Sequence, residues 1–325
     1  MKKSRLSIMM IFLPLLVFGQ SSCGSKEIGT KTNPVIIEIL TPHRLSNVIK
    51  HIDVIAKFIA EESGLETAIY APQKSIDYIR ALSNSSRKAD VAILNDIGYL
   101  FASDEYGAKA ELIVLRRGGV GEEITSYCPA IISVSLRSID ELNGNGIAFS
   151  DEYSTAGYLI PSYVLKERNI SVSKRLFAGS YSEAIRLLLL GKIESAAIYT
   201  SCNSMNNELD ARNLVLEEFP DVFSRTNIIY KAPPVPNEPV VFRKGLSNML
   251  KERIISALLK CPENRECRDA LLGVNNIVGF KRITGDEYNA LRKVIKALEK
   301  DTADLIPGGW ILKIKNNPEL PKTGN

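Results

Sequence analysis

The chain has 325 residues, with 41 basic against 37 acidic side chains, two histidines and five cysteines. That length allows two domains, each with its own core. The positive excess almost vanishes once residues 1–22 are set aside, because Lys2, Lys3 and Arg5 leave with them and no acid does. A near-neutral chain without a basic run offers no electrostatic footprint for nucleic acid. Two histidines and no zinc-spaced cysteine pair argue against a metal site, and nothing in the sequence asks for a cofactor.

The basic start is followed by an apolar run from Ile8 to Phe18 and then by Ser21-Ser22-Cys23-Gly24. That order is a secretory signal peptide, and the apolar run is too short for a membrane-spanning helix. Cys23 after two small residues is the expected lipidation site, giving a membrane-anchored lipoprotein with residues 1–23 as its signal segment; Gln20 stands where Leu is usual. Residues 24–33 are polar and read as a tether. No later stretch is long and apolar enough to cross a bilayer.

Strands and helices then alternate. Val35 to Leu40 reads as a strand, and a helix follows from about Leu45 to Glu62, where Leu45, Val48, Ile49, Ile52, Ile55, Ala56 and Ile59 recur at helical spacing. Thr67 to Ala71 is a strand, Ser75 to Leu82 a helix, Asp90 to Leu94 a strand, and Glu111 to Arg116 strand-like. A second cycle begins after the extended stretch Ile131 to Val134. It holds a strand at Gly146 to Phe149, helices at Thr155 to Arg168 and Tyr181 to Leu190, and a strand at Ser195 to Tyr199. Beyond Pro233-Pro234-Val235-Pro236, the strand Val240 to Phe242 leads into helices near 245–260, 264–272 and 285–299. Such alternation predicts an α/β fold with mixed sheets flanked by helices.

Two such units with extra C-terminal helices suit a two-lobed binding architecture. Residues 34–132 and 241–325 form a discontinuous first lobe, and residues 133–240 the second. Ligands in open α/β sheets sit at the carboxyl ends of strands and the starts of helices, here in the cleft between lobes. Apart from Cys23, the cysteines are Cys128, Cys202, Cys261 and Cys267. An exported chain can oxidise them, and the three pairings stay open.

The run Ser150-Asp151-Glu152-Tyr153-Ser154-Thr155-Ala156-Gly157-Tyr158-Leu159-Ile160-Pro161 resembles the Ser-Thr-Ser-Gly segment of the phosphate, phosphite and phosphonate-binding proteins of ABC importers. Four further blocks fall in that family's order: Ala89 to Ala92, Tyr127 with Ile131-Ile132, Ala178 to Tyr181 with Ala184, and Ala232 to Val241. Together they cover about residues 35 to 255. The resemblance implies a type II periplasmic-binding-protein fold. It also implies a monomeric extracytoplasmic receptor that hands a small anionic solute to a membrane permease and catalyses nothing.

Residue by residue, the resemblance points to Ser154, Thr155 and Ala156 as an anion site. The residue types agree, because a helix start offers unpaired N–H groups and a favourable dipole. The plainer reading is that Ser154 only caps its own helix. Tyr181 stands where the family often has His, and a phenol donates without a titratable charge. Glu238 falls at an acidic position of the family, suited to accept from a protonated oxygen or an ammonium; otherwise it is a solvated loop acid. Thr200 and Ser201 end a strand facing the expected cleft or begin the next turn. Tyr127 lines the pocket or packs in the crossover, and Asn95 follows a strand at a cleft-facing end. Leu94 replaces a Tyr of some members.

The alternatives are a ligand-sensing lipoprotein of the same fold, or a binder of an unrelated solute. An enzyme is disfavoured, since no Gly-x-Ser-x-Gly elbow or P-loop is present. The glycine turn at Gly118-Gly119-Val120-Gly121 is followed by Glu122 and Glu123, which would repel a phosphate.

Overall fold

The computed structural model describes residues 27–39, 45–71, 82, 89–118, 122–203 and 209–309. The expected lipidation site Cys23 and the expected helix from Ser75 to Leu82, apart from Leu82 itself, lie outside them. Two sheets organise the rest. The first holds β1 (Val35–Ile39), β2 (Thr67–Tyr70), β3 (Val91–Ile93), β4 (Lys109–Arg117), β5 (Glu123–Ile124), β12 (Pro239–Phe242) and β13 (Ile277–Arg282), in the order β13-β4-β12-β3-β1-β2 with β5 beside β4. The second holds β6 (Ser126–Ser133), β7 (Gly146–Phe149), β8 (Lys174–Phe177), β9 (Ser195–Thr200), β10 (Asn227–Lys231) and β11 (Val235–Pro236), in the order β10-β6-β9-β7-β8 with β11 beside β6. Each mixes parallel and antiparallel pairs, as the α/β reading expects.

Strand alternation sorts side chains between cores. Ile131 and Ala197 point into a core shared with Ala92 and Leu94 of the first sheet. Their neighbours Ile132 and Ala196, opposite each other in the ladder, point into a separate core under the helix Tyr181–Leu189. On the outer face of the first sheet, the helices Leu45–Ser63, Asn248–Lys260 and Arg265–Asn275 bury Val48, Ile52, Ile55 and Ile59 against β1 and β12.

The helix Asp96–Tyr106 was not foreseen. Its residues Asp96 to Ala102 are all buried, so that stretch carries no polar face to reveal a helical period. The helix expected from Thr155 begins as a wide π-type turn, Thr155–Leu159, before the α-helix Ile160–Glu167. Ile28 packs on the outer core and Gly29 O accepts from Glu66 N, so part of the expected tether is docked.

Strand membership also shifts the expected crossings. All of β6 belongs to the second sheet and all of β12 to the first, so the chain changes sheets at Thr125 and near Asn237 rather than at 132/133 and 240/241. The reason is that the apolar Ile131 and Ile132 are interior to a long strand, not its beginning. Of the three pairings left open, the structure joins Cys128 to Cys202 and Cys261 to Cys267. No helix of the described residues is long and apolar enough to cross a membrane.

Candidate functional site

Between the sheets lies a cleft of about 550 Å³, lined among others by Tyr127, Tyr181, Glu238, Arg116, Arg117 and Asn237. On the second-sheet side Tyr127, Tyr181 and Tyr199 line the cleft, and the helix start after β7 is hydrogen-bonded to Tyr181. Ser154 takes an extended backbone and its Oγ accepts from Gly157 N at 2.9 Å, which is the capping arrangement. The same Oγ lies 2.6 Å from the hydroxyl of Tyr181, at the start of the neighbouring helix. Gly157 is required here, because a Cβ would stand 1.9 Å from Ser150 Oγ and 2.9 Å from Ser154 Oγ. Thr155 and Ala156 occupy the first turn, where N–H groups have no acceptor within their own helix. Burial raises the Tyr181 phenol far above its ordinary range, so it acts as a neutral hydroxyl.

The first-sheet wall carries charge. Arg116, at the end of β4, holds Glu238 in an ion pair of 2.6 Å, with both side chains mostly shielded. Arg117 beside it is exposed and also lines the cleft. Asp96, the first residue of its helix, is buried and reaches across to the second wall. Its Oδ1 accepts from Thr155 Oγ1 at 2.8 Å, and its Oδ2 from the Tyr127 hydroxyl at 3.0 Å. Desolvation raises its pKa above the ordinary aspartate value, against the pull of the hydrogen bonds from Thr155, Ile97 and Tyr127.

Ser154, Thr155, Ala156, Tyr181 and Tyr127 are thus brought together, and Glu238 joins them already paired. Asn95 is the cap of the helix that begins at Asp96, its Oδ1 accepting from Gly98 N. Thr200 turns away and donates to Asp210 Oδ2, which is itself paired with the buried Arg212. Ser201 is buried and its Oγ accepts from Asn203 N in a turn. Asp96, Arg116 and Arg117 were missed. Asp96 had a local signal, since an acid following a strand and Asn95 suits a helix start, whereas Arg116 read only as a strand end. Among the described residues no group of three or more His, Cys, Asp or Glu is placed to hold a metal ion.

The profile of the family described as "ABC transporter, phosphonate, periplasmic substrate-binding protein" matches residues 40–288. The curated "Phosphonates-binding periplasmic protein" of Escherichia coli is 29% identical over 135 residues, which cover 39% of this chain and 36% of that one. The matched stretch therefore spans little more than a third of that relative's length. Among solved structures, a binding-protein component of an ABC phosphonate transporter from Pseudomonas aeruginosa aligns with a TM-score of 0.58 at 16% identity, covering 89% of this chain and 90% of that one. A Prochlorococcus marinus protein in complex with methylphosphonate aligns at 0.58 and 16%, covering 82% and 98%. A Xanthomonas citri protein bound to chloride ion aligns at 0.63 and 14%, covering 82% and 97%. At such identities these likenesses establish the fold.

Proposed function

We propose, for a chain that belongs to the family of periplasmic substrate-binding proteins of phosphonate ABC transporters, that its cleft captures a small oxyanion of the phosphonate, phosphite or phosphate class. The captured solute passes to a membrane permease, and no chemistry is done on it. One observation supports the reading: the Ser154-capped helix start, with Thr155 and Ala156 in its first turn, is bonded to the residues of the cleft, Ser154 Oγ to the Tyr181 hydroxyl and Thr155 Oγ1 to Asp96, which also holds Tyr127. Unpaired first-turn N–H groups and a helix dipole favour an anion there without any ligand-specific device.

Ser154, Thr155, Ala156, Tyr181 and Tyr127 are the contact residues of this proposal, with Arg116 and Arg117 supplying charge from the opposite wall. The lobes are the two sheets with their helices, and capture closes them about Thr125 and Asn237. Closure gains only what contacts made in the closed form contribute. The receptor works as a monomer held to the membrane through Cys23, as its signal-like leader suggests.

Thermal unfolding in the presence of methylphosphonate, phosphite, phosphate and several amino acids tests the function. A true ligand at 100 times its dissociation constant adds about 2.7 kcal/mol. A phosphorus oxyanion is expected to stabilise the wild type and to lose most of that effect with Ser154→Ala. Stabilisation by an amino acid and by no phosphorus compound would overturn the reading.

A further inference from the structure

The face of the second sheet that looks toward the first changes character along its length. In the ladder of β6 and β9, Ile131 lies opposite Ala197 and Pro129 opposite Tyr199. Side chains alternate, so Tyr127, Pro129 and Ile131 share one face with Ala197 and Tyr199. Ile131 and Ala197 are buried in the core common to both sheets. Farther along the same face, at the cleft, stand the half-buried rings of Tyr127 and Tyr199. Thr200, expected to face the cleft, turns to Asp210, and its neighbour Tyr199 takes that place.

Tyr181, from the adjoining helix start, meets Tyr199 edge to face, with ring centroids 4.9 Å apart and planes at 88°. Both rings keep part of their surface toward the cleft. Leu209 on this side, and Leu272 from the helix Arg265–Asn275 on the other, add apolar lining. Apolar surface is thus offered from both sides. Burial raises the Tyr181 and Tyr199 phenols, so both stay neutral at physiological pH.

An anion alone has no use for these rings, since a phosphoryl head is satisfied by N–H groups, hydroxyls and cations. Methylphosphonate has five non-hydrogen atoms; at about 30 Å³ each, the share of a water molecule in its liquid, they fill roughly 150 Å³. The cleft offers about 550 Å³, within the roughly 300–1,000 Å³ of sites that bury larger organic ligands. Closure narrows the space between the sheets, yet Tyr127, Tyr181 and Tyr199 all sit on the second-sheet side and move as one body. The aromatic surface therefore persists in the closed form.

We infer that the captured solute carries a flat unsaturated ring on its phosphoryl head, and that Tyr199 is a specificity-determining residue for that ring. The inference rests on the oxyanion reading above and narrows its class to aryl phosphonates and phosphate monoesters of ring-bearing alcohols. The head takes the polar part of the cleft, at the Tyr181 hydroxyl and Arg117. The ring lies along Tyr199, with Leu209 and Leu272 as its remaining apolar contacts. A ring held this way gains offset or edge contacts with Tyr199 beyond the apolar area it buries, which a saturated chain of similar size does not.

Isothermal titration of the purified chain with methylphosphonate, butylphosphonate, phenylphosphonate and adenosine monophosphate tests this. Phenylphosphonate is expected to bind at least about tenfold more tightly than methylphosphonate, the upper worth of one ring–ring contact, and more tightly than butylphosphonate. Adenosine monophosphate binding tighter than phenylphosphonate would assign the solute to the phosphate monoesters, and the reverse order to the aryl phosphonates. Tyr199→Ala should bring the phenyl-to-methyl ratio close to one, and Tyr199→Phe, which keeps the ring, should preserve it. Should Tyr199→Ala fail to fold, Tyr199→Leu, which keeps apolar bulk without a ring, makes the same comparison. Methylphosphonate or butylphosphonate matching phenylphosphonate, or a ring preference that survives loss of the Tyr199 ring, would overturn the inference and leave the oxyanion reading standing. Binding of no phosphorus compound would overturn both.

Discussion

The two walls of the cleft are made in different ways. The second-sheet wall is local: Ser150, Ser154, Thr155, Ala156 and Gly157 fall within eight consecutive residues, and most of the chemistry comes from backbone N–H groups and hydroxyls. The first-sheet wall is assembled from far apart: Arg116 and Glu238 are 122 residues apart, and Asp96 meets its partner Thr155 across 59. The local wall is neutral and fixed by capping; the assembled wall is charged and fixed by tertiary pairing.

Three changes would break or sharpen that contrast. The largest concerns the disulfide Cys128–Cys202, which ties β6 beside Tyr127 to the segment after β9 and closes a loop with a sequence separation of 74. Replacing both cysteines by Ser should cost about 4 kcal/mol of stability by loop-closure entropy. The same change at Cys261 and Cys267, separated by only 6, should cost about 2 kcal/mol. Chemical denaturation read alongside ligand binding separates them, because Cys128 directly follows the cleft residue Tyr127. Equal losses would mean that strain or denatured-state structure outweighs loop length.

Gly157→Ala comes next. Its methyl would collide with Ser150 and Ser154, and relieving such overpacking costs about 1–3 kcal/mol. Because the clash falls on the capping hydroxyl, methylphosphonate stabilisation should disappear as well. A variant that keeps full binding would show that the local wall tolerates rearrangement.

The smallest effect is a slope. The raised pKa of Asp96 means that the folded chain holds a proton there more tightly than the unfolded chain does. Stability therefore declines as pH rises from the ordinary aspartate value through the raised one. Asp96→Asn should flatten that decline in denaturation midpoints measured across the acid range, and an unchanged slope would show that other groups carry it.

Legibility in the sequence followed the same division. Alternating strand and helix patterns carried the α/β fold, and the Ser154 cap was visible because capping depends on neighbours three residues apart. Asp96 escaped notice because the stretch Asp96 to Ala102 of its helix is buried throughout and shows no period. Thr200 was misplaced because strand position alone does not say which face a side chain takes; Asp210 and Arg212 draw it away from the cleft. Glu238 was read without its partner, since nothing near Arg116 in the chain announces a pairing so distant.

Asn237 gives the two crossings a common fulcrum. Its amide nitrogen donates to Val114 O on β4 and to Ile124 O just before β6, its backbone N–H donates to Thr125 O, and its carbonyl accepts from the buried hydroxyl of Tyr288. One residue thereby pins the outgoing strand, the returning strand and a C-terminal turn at a single point. A motion that parts the sheets while keeping these bonds is a rotation about that point, so the far rim of the cleft sweeps a wide arc while the residues beside Asn237 hardly move.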